Sequence, residues 1–250
     1  MIFDSHIHLN DMELSLLPKT GEGFRYLNCS VSFTDSERSL EMSRKTEGVY
    51  AATGIHPLYI EKDSDAEGIA MLVSEGGFIA IGEAGLDYRK GSPERSLQIR
   101  ILEEQIAVAE SKDLPVILHC VHASGDILRI IKTHPRVRYI WHGFYEDPEV
   151  IKKLVDRDVF FGIGGSITFA ERKKLRRSLS MISLDRILLE TDAPYLKVSS
   201  GNTDYRCSAG EILSSLSEAE GLCREEMEQM LWKNSVTCFG FGGSHGSFET

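Results

Sequence analysis

The segment GFIAIGEAGLDYRKGSPERSLQIRILEEQIAVAESKDLPVILHC, residues 77–120, holds one complete unit of the chain's architecture. Its two ends, GFIAIGEA (77–84) and PVILHC (115–120), are short apolar runs of the kind that form buried strands. Between them, SPERSLQIRILEEQIAVAESKD (92–113) places Ile99, Leu102, Ile106 and Ala109 at three- and four-residue steps, the spacing of an amphipathic helix. Pro93 marks its start, and Asp113 ahead of Leu114-Pro115 marks its stop. A strand, a helix long enough to cross back over a sheet, and a second strand predict a parallel βαβ unit.

The same unit recurs along the chain. Strand-like runs are IFDSHIHL (2–9), YLNCSVSF (26–33), VYAATGI (49–55), YIWHG (139–143), VFFGIGG (159–165) and ILLETD (187–192), which with the two above makes eight. Helical patterns alternate with them, among them DPEVIKKLVDRD (147–158), with Asp147 as N-cap and Pro148 at the first helical position. AGEILSSLSEAEG (209–221) and REEMEQMLWKNSVTCF (224–239) supply terminal helices. Eight alternations in 250 residues predict a single-domain α/β protein, a (β/α)₈ TIM-type barrel over residues 1–239. A doubly wound open sheet is the alternative. The Gly-rich GFGGSHGSFET (240–250) is expected to be a flexible tail, with His245 a surface residue.

Composition narrows the class of partner. Asp+Glu 38 against Lys+Arg 28 gives a net charge of −10, so the chain repels polyanions as a whole and any nucleic-acid contact must be local. Five widely spaced cysteines without a C-x-x-C pair argue against a disulfide framework or a zinc ribbon and favour a reducing cytoplasm. No export signal or membrane-spanning run is apparent, so a soluble, unexported protein without a membrane partner is expected; a monomer is the expected state.

Five of the eight histidines, His6, His8, His56, His119 and His142, fall at or just past the C-terminal ends of predicted strands, where barrels build their active sites. Glu83 and Asp192 join them. Strand alternation puts Asp4, His6 and His8 on one face with Phe3, Ser5 and Ile7 opposite. It likewise groups Ile79, Ile81 and Glu83, Ile117 and His119, Ile140 and His142, and Leu188, Glu190 and Asp192. If those faces point inward, imidazoles and carboxylates converge in a set suited to divalent ions such as Mg²⁺, Mn²⁺ or Zn²⁺. Cys120 should face away from His119; His122 and His134 read as structural or exposed.

The phrases FDSHIHL (3–9), GIHP (54–57), IGEAGLDY (81–88), HCVHA (119–123), WHGF (141–144), GGSITF (164–169) and LLETDAPYL (188–196) resemble, in order, those of the TatD family of metal-dependent hydrolases, within the amidohydrolase-like barrel group. The resemblance implies a barrel, two divalent ions and a hydrolase that in well-known members is a DNase, often trimming single strands from the 3′ end. Carried over by position, it makes His6, His8 and Asp192 ligands of one ion and His119 and His142 ligands of the other. Glu83 is the bridge, and Asp192 is also the acceptor of the attacking water's proton. His56 is a substrate-facing residue or a cap on the Pro57 turn. Arg89 is a candidate substrate contact, and Asp4 and Glu190 are candidates to orient ligand histidines from behind.

This chain departs from the family pattern around the site. Val121 stands where familiar members carry an arginine two after the fifth-strand histidine, His142-Gly143-Phe144-Tyr145-Glu146 replaces His-Cys-Phe-Ser-Gly, and the Asn-Glu-Pro after DAPYL is absent. ERKKLRR (171–177) offers cations, read here as a solvated helix face. The leading expectation is therefore a two-metal DNA phosphodiesterase. An amide or ester hydrolase acting on a small molecule or an acylated nucleic acid is the alternative, and a barrel with only structural metal is a third.

Overall fold

The computed structural model describes residues 1–17, 23–61 and 65–241. Eight strands, β1 (Ile2–Ile7), β2 (Phe24–Asn28), β3 (Val49–Thr53), β4 (Phe78–Asp87), β5 (Val116–Val121), β6 (Tyr139–Trp141), β7 (Val159–Ile163) and β8 (Ile187–Leu189), form one sheet in chain order. Each pairs in parallel with the next. Hydrogen bonds bring the last strand back to the first: Ser5 Oγ donates to Leu189 O at 2.9 Å, Asp192 N to His6 O at 2.8 Å and His8 N to Ala193 O at 2.9 Å. This order and closure match the (β/α)₈ barrel and exclude the open doubly wound sheet, whose strand order must reverse.

The helices are α1 (Phe33–Lys45), α2 (Asp65–Glu75), α3 (Arg95–Lys112), α4 (Ser124–Thr133), α5 (Pro148–Lys152), α6 (Lys173–Leu179), α7 (Tyr205–Glu220) and α8 (Arg224–Phe239). Short 3₁₀ turns at Leu9–Asp11 and Leu14–Leu16 stand where a helix would follow β1. Asp147 and Pro148 open α5 as expected, but that helix is a single turn. One side chain from each strand fills the barrel: Phe3, Leu27, Ala52, Ala80, Ile117, Ile140, Phe160 and Leu188. Phe239 and Phe241 close its lower end, Phe241 stacking on Phe3 at 4.6 Å and on Tyr50 at 4.9 Å between ring centroids. Packing thus continues two residues past 239. The rest of the expected tail, His245 included, lies outside the described residues.

Two faces differ from strict alternation. Phe3 and His6 both point into the barrel although they stand three positions apart, and Ile7 packs outside against Tyr26 and Val49. Between Asp4 and Ile7 the pairing advances three residues against two on β2, so a bulge re-aims the end of β1. β4 does the same between Ile81 and Ala84 against β5. Ala80 and Glu83 therefore face inward, while Ile81 joins the outer core with Ile101, Ile106 and Val116. Where no bulge intervenes, Ile117 with His119 and Ile140 with His142 keep the expected alternation.

Helix α3 shows why the apolar pattern was imperfect. Its buried face includes Gln98 and Gln105 beside Ile101, Leu102, Ile106 and Ala109, while Ile99 is only partly buried. Both amides serve as backbone partners. Gln105 accepts from Ile55 N at 2.8 Å and donates to Ile55 O at 3.2 Å, and Gln98 accepts from Asp87 N at 2.8 Å and donates to Asp87 O at 2.9 Å. The chain leaving β3 toward His56 and the end of β4 are thereby fixed. Gln105→Leu keeps the volume but strips two buried backbone groups of their partner. Urea unfolding is expected to show a loss of about 2–4 kcal/mol with an unchanged m-value.

Candidate metal centre

The predicted residues meet at the C-terminal mouth of the barrel. His6 Nε2 and His8 Nε2 lie 3.1 Å apart, and Glu83 Oε2 is 3.4 Å from the first and 3.5 Å from the second. Asp192 Oδ1 sits 3.3 Å from His8 Nε2 and 3.8 Å from His6 Nε2. The other oxygen of Glu83 faces three different rings: Oε1 is 2.6 Å from His119 Nδ1, 3.6 Å from His56 Nε2 and 3.7 Å from His142 Nε2. His142 stacks on His6 with 3.7 Å between centroids. Three sets of donors converge closely enough to share an ion: His6, His8 and Glu83; His6, His142 and Asp192; and His56, Glu83 and His119. His119 and His142 both approach Glu83 without falling into one set.

Charge explains why these groups suit a cation. Glu83, Asp192 and Glu190 are buried or nearly so, and among the described residues their ion-pair partners are all imidazoles. Burial alone would raise the pKa of Glu83, but His142, His119 and His6 outweigh it and hold the carboxyl well below its usual range. Burial opposes the same shift at Asp192, where the His8 hydrogen bond and the charges of His142 and His6 prevail. In return His142, despite burial, is pushed up to about 10 by Glu190 and Glu83. His8 Nδ1 lies 3.0 Å from Cys29 O, a pure acceptor, so Nδ1 carries a proton. Despite burial, the Asp192 hydrogen bond and the charges of Glu83 and Asp192 raise the pKa of this ring, and the proton on Nε2 is the one that a cation would displace to free a lone pair facing both carboxylates. Nitrogen lone pairs and carboxylates facing one another without a fixed cation form a donor set that fits divalent metal.

Glu190, fully buried, accepts from Gly143 N at 2.6 Å and lies 3.2 Å from His142 Nδ1, so it does sit behind a histidine. Gly162 makes room for it, since a Cβ there would stand 1.9 Å from Glu190 Oε2. Asp4 behaves differently. Its carboxylate accepts from Thr191 N at 2.9 Å, Thr191 Oγ1 at 2.5 Å and His6 N at 3.3 Å, and no imidazole nitrogen is among these partners. It ties β1 to the turn that carries Asp192, and burial pushes its pKa up to about 7. His56 Nδ1 accepts from Leu58 N at 3.1 Å, so the cap and the site-facing position coexist: the neutral ring points an Nε2–H at Glu83. Burial lowers its pKa to about 4.

One buried acid escaped the sequence reading. Asp87 Oδ2 lies 3.0 Å from His119 Nε2 and 2.5 Å from an Arg89 nitrogen, while Arg89 Nε donates to both carboxylate oxygens at 2.9 Å. The guanidinium expected at the substrate is thus engaged by Asp87. Its only sequence signal was its place in IGEAGLDY, because an acid at a strand end also reads as a turn residue. Cys120 faces the outer core, His122 is exposed and His134 ends α4, as expected.

A closed parallel barrel with this histidine and carboxylate cluster at its C-terminal mouth is the architecture of a metal-dependent hydrolase. The chain belongs to the family of TatD-related DNases, whose model matches residues 3–240. The uncharacterized metal-dependent hydrolase YjjV of Escherichia coli is 30% identical over 94% of this chain and 96% of its own. Its crystal structure superimposes with a TM-score of 0.86 at 28% identity, covering 96% of this chain and 98% of that one. The uncharacterized metal-dependent hydrolase YabD of Bacillus subtilis is 28% identical over 96% of this chain and 99% of its own. A protein of Cronobacter sakazakii named 3′-5′ ssDNA/RNA exonuclease TatD is 32% identical over 66% of this chain and 65% of its own.

The Gly162 contact offers a test of the site's internal order. Gly162→Ala forces Glu190 off His142 and Gly143. The expected results are a loss of about 1–3 kcal/mol on thermal unfolding, the usual scale of overpacking, and a fall in the pKa of His142 by NMR in metal-free protein. A His142 titration unchanged from wild type would show that Glu190 does not control that ring.

Proposed function

We propose that this chain is a two-metal phosphodiesterase that shortens DNA, removing nucleotides from single-stranded or 3′ ends. The observation that carries the reading is the division of Glu83, whose Oε2 faces His6 and His8 while its Oε1 faces His119, His56 and His142. A carboxylate so placed suits a bridge between two cations. In this reading His6, His8 and Asp192 would hold one ion, His119 and His142 would hold the other, and Glu83 would be shared between them. The name of the Cronobacter relative supports a nucleic-acid substrate. All five cysteines are free, which agrees with a cytoplasmic setting, and no described helix is long and apolar enough to cross a membrane. The working unit is taken to be the monomer.

Bound Mg²⁺, Mn²⁺ or Zn²⁺ would supply Lewis acidity toward the phosphoryl group and a nucleophilic water at neutral pH. The residues supply the rest. Asp192, held ionised by its histidine neighbours, accepts the proton of the attacking water. His56 is neutral and has its Nδ1 occupied by Leu58 N–H, so it offers an Nε2–H to a phosphoryl oxygen rather than a lone pair to a metal. Glu190 keeps His142 oriented, and Asp87 does the same for His119 while holding Arg89 at the mouth.

Asp192→Asn isolates the base. Asp192 has φ +52°, a left-handed conformation that asparagine tolerates well, so the backbone should persist. Turnover of single-stranded DNA in Mn²⁺ is expected to fall at least about a hundredfold, with the unfolding midpoint little changed. Near-wild-type turnover would remove Asp192 from the mechanism. Hydrolysis of a carbonyl-ester panel in place of DNA would favour the amidohydrolase reading.

Metal loading gives an independent check. His142 is protonated near neutrality in the metal-free protein and must yield its proton to become a ligand, so loading at pH 7 should release protons and affinity should rise with pH toward about 10. Calorimetry in buffers of different ionisation heat is expected to show this release with two ions per chain, and with one in Glu83→Gln. Saturation of the wild type at a single ion would sink the bridge.

A further inference from the structure

The rim of the mouth carries an apolar patch that the reading above leaves unused. Large exposed apolar side chains are sparse among the described residues, yet Leu58 and Tyr59 come within three residues of His56, and Tyr195 and Leu196 within four of Asp192. The two rings are 51% and 57% exposed. Neither is loosely held. Tyr59 N donates to His56 O, and Tyr195 N to Asp192 O, each at 2.9 Å, so both tyrosines are pinned by tight turns to residues of the cluster. Tyr59 meets the His56 ring edge-to-face at 5.7 Å between centroids, and Tyr195 meets His8 at 5.2 Å. Asp11 Oδ2 accepts from the Tyr195 hydroxyl at 2.6 Å and fixes the far end of that ring.

Rigid aromatic faces left open beside a reactive centre suit a flat apolar partner, and the charges around them disfavour a grip on phosphate alone. The chain carries a net charge of −10, Val121 offers no cation, and Arg89 is engaged by Asp87. β3 and β8 flank β1 and β2 in the closed barrel, so the two tyrosines share one arc of the rim. We infer that Tyr59 and Tyr195 are stacking platforms for unpaired nucleobases near the end of a single strand, and that they make the site select single-stranded over duplex nucleic acid. The inference rests on the nucleic-acid reading above. Base faces are free in an unpaired strand and covered in a duplex, so stacking discriminates where phosphate contacts cannot.

The test compares binding of fluorescein-labelled oligothymidylate, an abasic strand of equal length and a duplex, by anisotropy in chelator so that no strand is consumed. Wild type should prefer the base-bearing single strand to both others. Tyr59→Ala and Tyr195→Ala should each reduce that preference about tenfold, while Tyr59→Phe, which keeps the ring, should retain it. Both rings are largely exposed, so unfolding midpoints are expected to stay near wild type. Equal wild-type binding of the three ligands, binding of none, or an equal loss on base-bearing and abasic strands in the alanine variants would overturn the inference. So would self-association of the wild type that Tyr59→Ala abolishes, which would assign the patch to a second copy of the chain. Hydrolysis of the same oligothymidylate in Mn²⁺ is scored separately: selective binding without cleavage defeats the phosphodiesterase reading and leaves the stacking platforms standing.

Discussion

Glu83 is a carboxylate almost out of reach of solvent, and much of the mouth is arranged around that fact. An isolated buried carboxylate would give up its charge, because desolvation penalises the ionised form heavily. Here five imidazoles approach its two oxygens, and they come from β1, the β3 exit, β5 and the β6 exit. The group can face all of them only because β4 slips register between Ile81 and Ala84, turning Glu83 inward after Ala80. A regular strand would have sent one of the two outward. Stability of the site and its fitness for a cation thus have one origin: negative charge held inside and faced by imidazoles rather than by a fixed cation.

Closure of the barrel is the second condition. Ligand candidates lie at opposite ends of the chain, His6 and His8 near the start and Asp192 much later. They meet because β1 and the segment after β8 exchange hydrogen bonds. Asp4 is central to that seam: its carboxylate takes both the N–H and the hydroxyl of Thr191, next to Asp192 in sequence. An acid that strand alternation assigns to orienting a histidine instead orients the strand end from which the cluster hangs. Loss of that tie would leave each half of the site intact and misplace one against the other.

Those two features mark how far the sequence could be read. Eight alternations of strand and helix predicted the barrel because each is a local pattern in which apolar spacing reports burial. The convergence of His6, His8, Glu83, His119, His142 and Asp192 followed because C-terminal strand ends share one face of such a barrel. Bulges were not legible. A slip of one residue leaves no mark in polarity, so Ile81 was read as facing with Glu83 and Phe3 as facing away from His6. The glutamines of α3 escaped for a related reason, since a buried amide that serves a loop's backbone looks like a solvent-facing residue until the loop is in place. Thr191 carries no local signal because its partner Asp4 is distant in sequence, and Asp87 carries little because an acid at a strand end also reads as a turn residue.

The departures from the family pattern bear on substrate more than on chemistry. The replaced arginine at Val121 removes a fixed positive charge beside His119, and Asp87 restrains Arg89 through three hydrogen bonds to its guanidinium. The basic run of α6 does not replace them in the cluster: Arg176 donates to Ile167 O, and Arg172 and Lys174 lie over the Tyr145 ring at 5.2 and 4.9 Å. In an acidic chain with these cations engaged by the protein's own groups, long-range attraction for a polyanion is weak. Selectivity then depends on what the mouth offers at contact, and at contact it offers an N–H from His56 and two anchored aromatic faces. In the proposed function such a surface discriminates by the shape and pairing state of a strand end, a property that an extended phosphate backbone does not report.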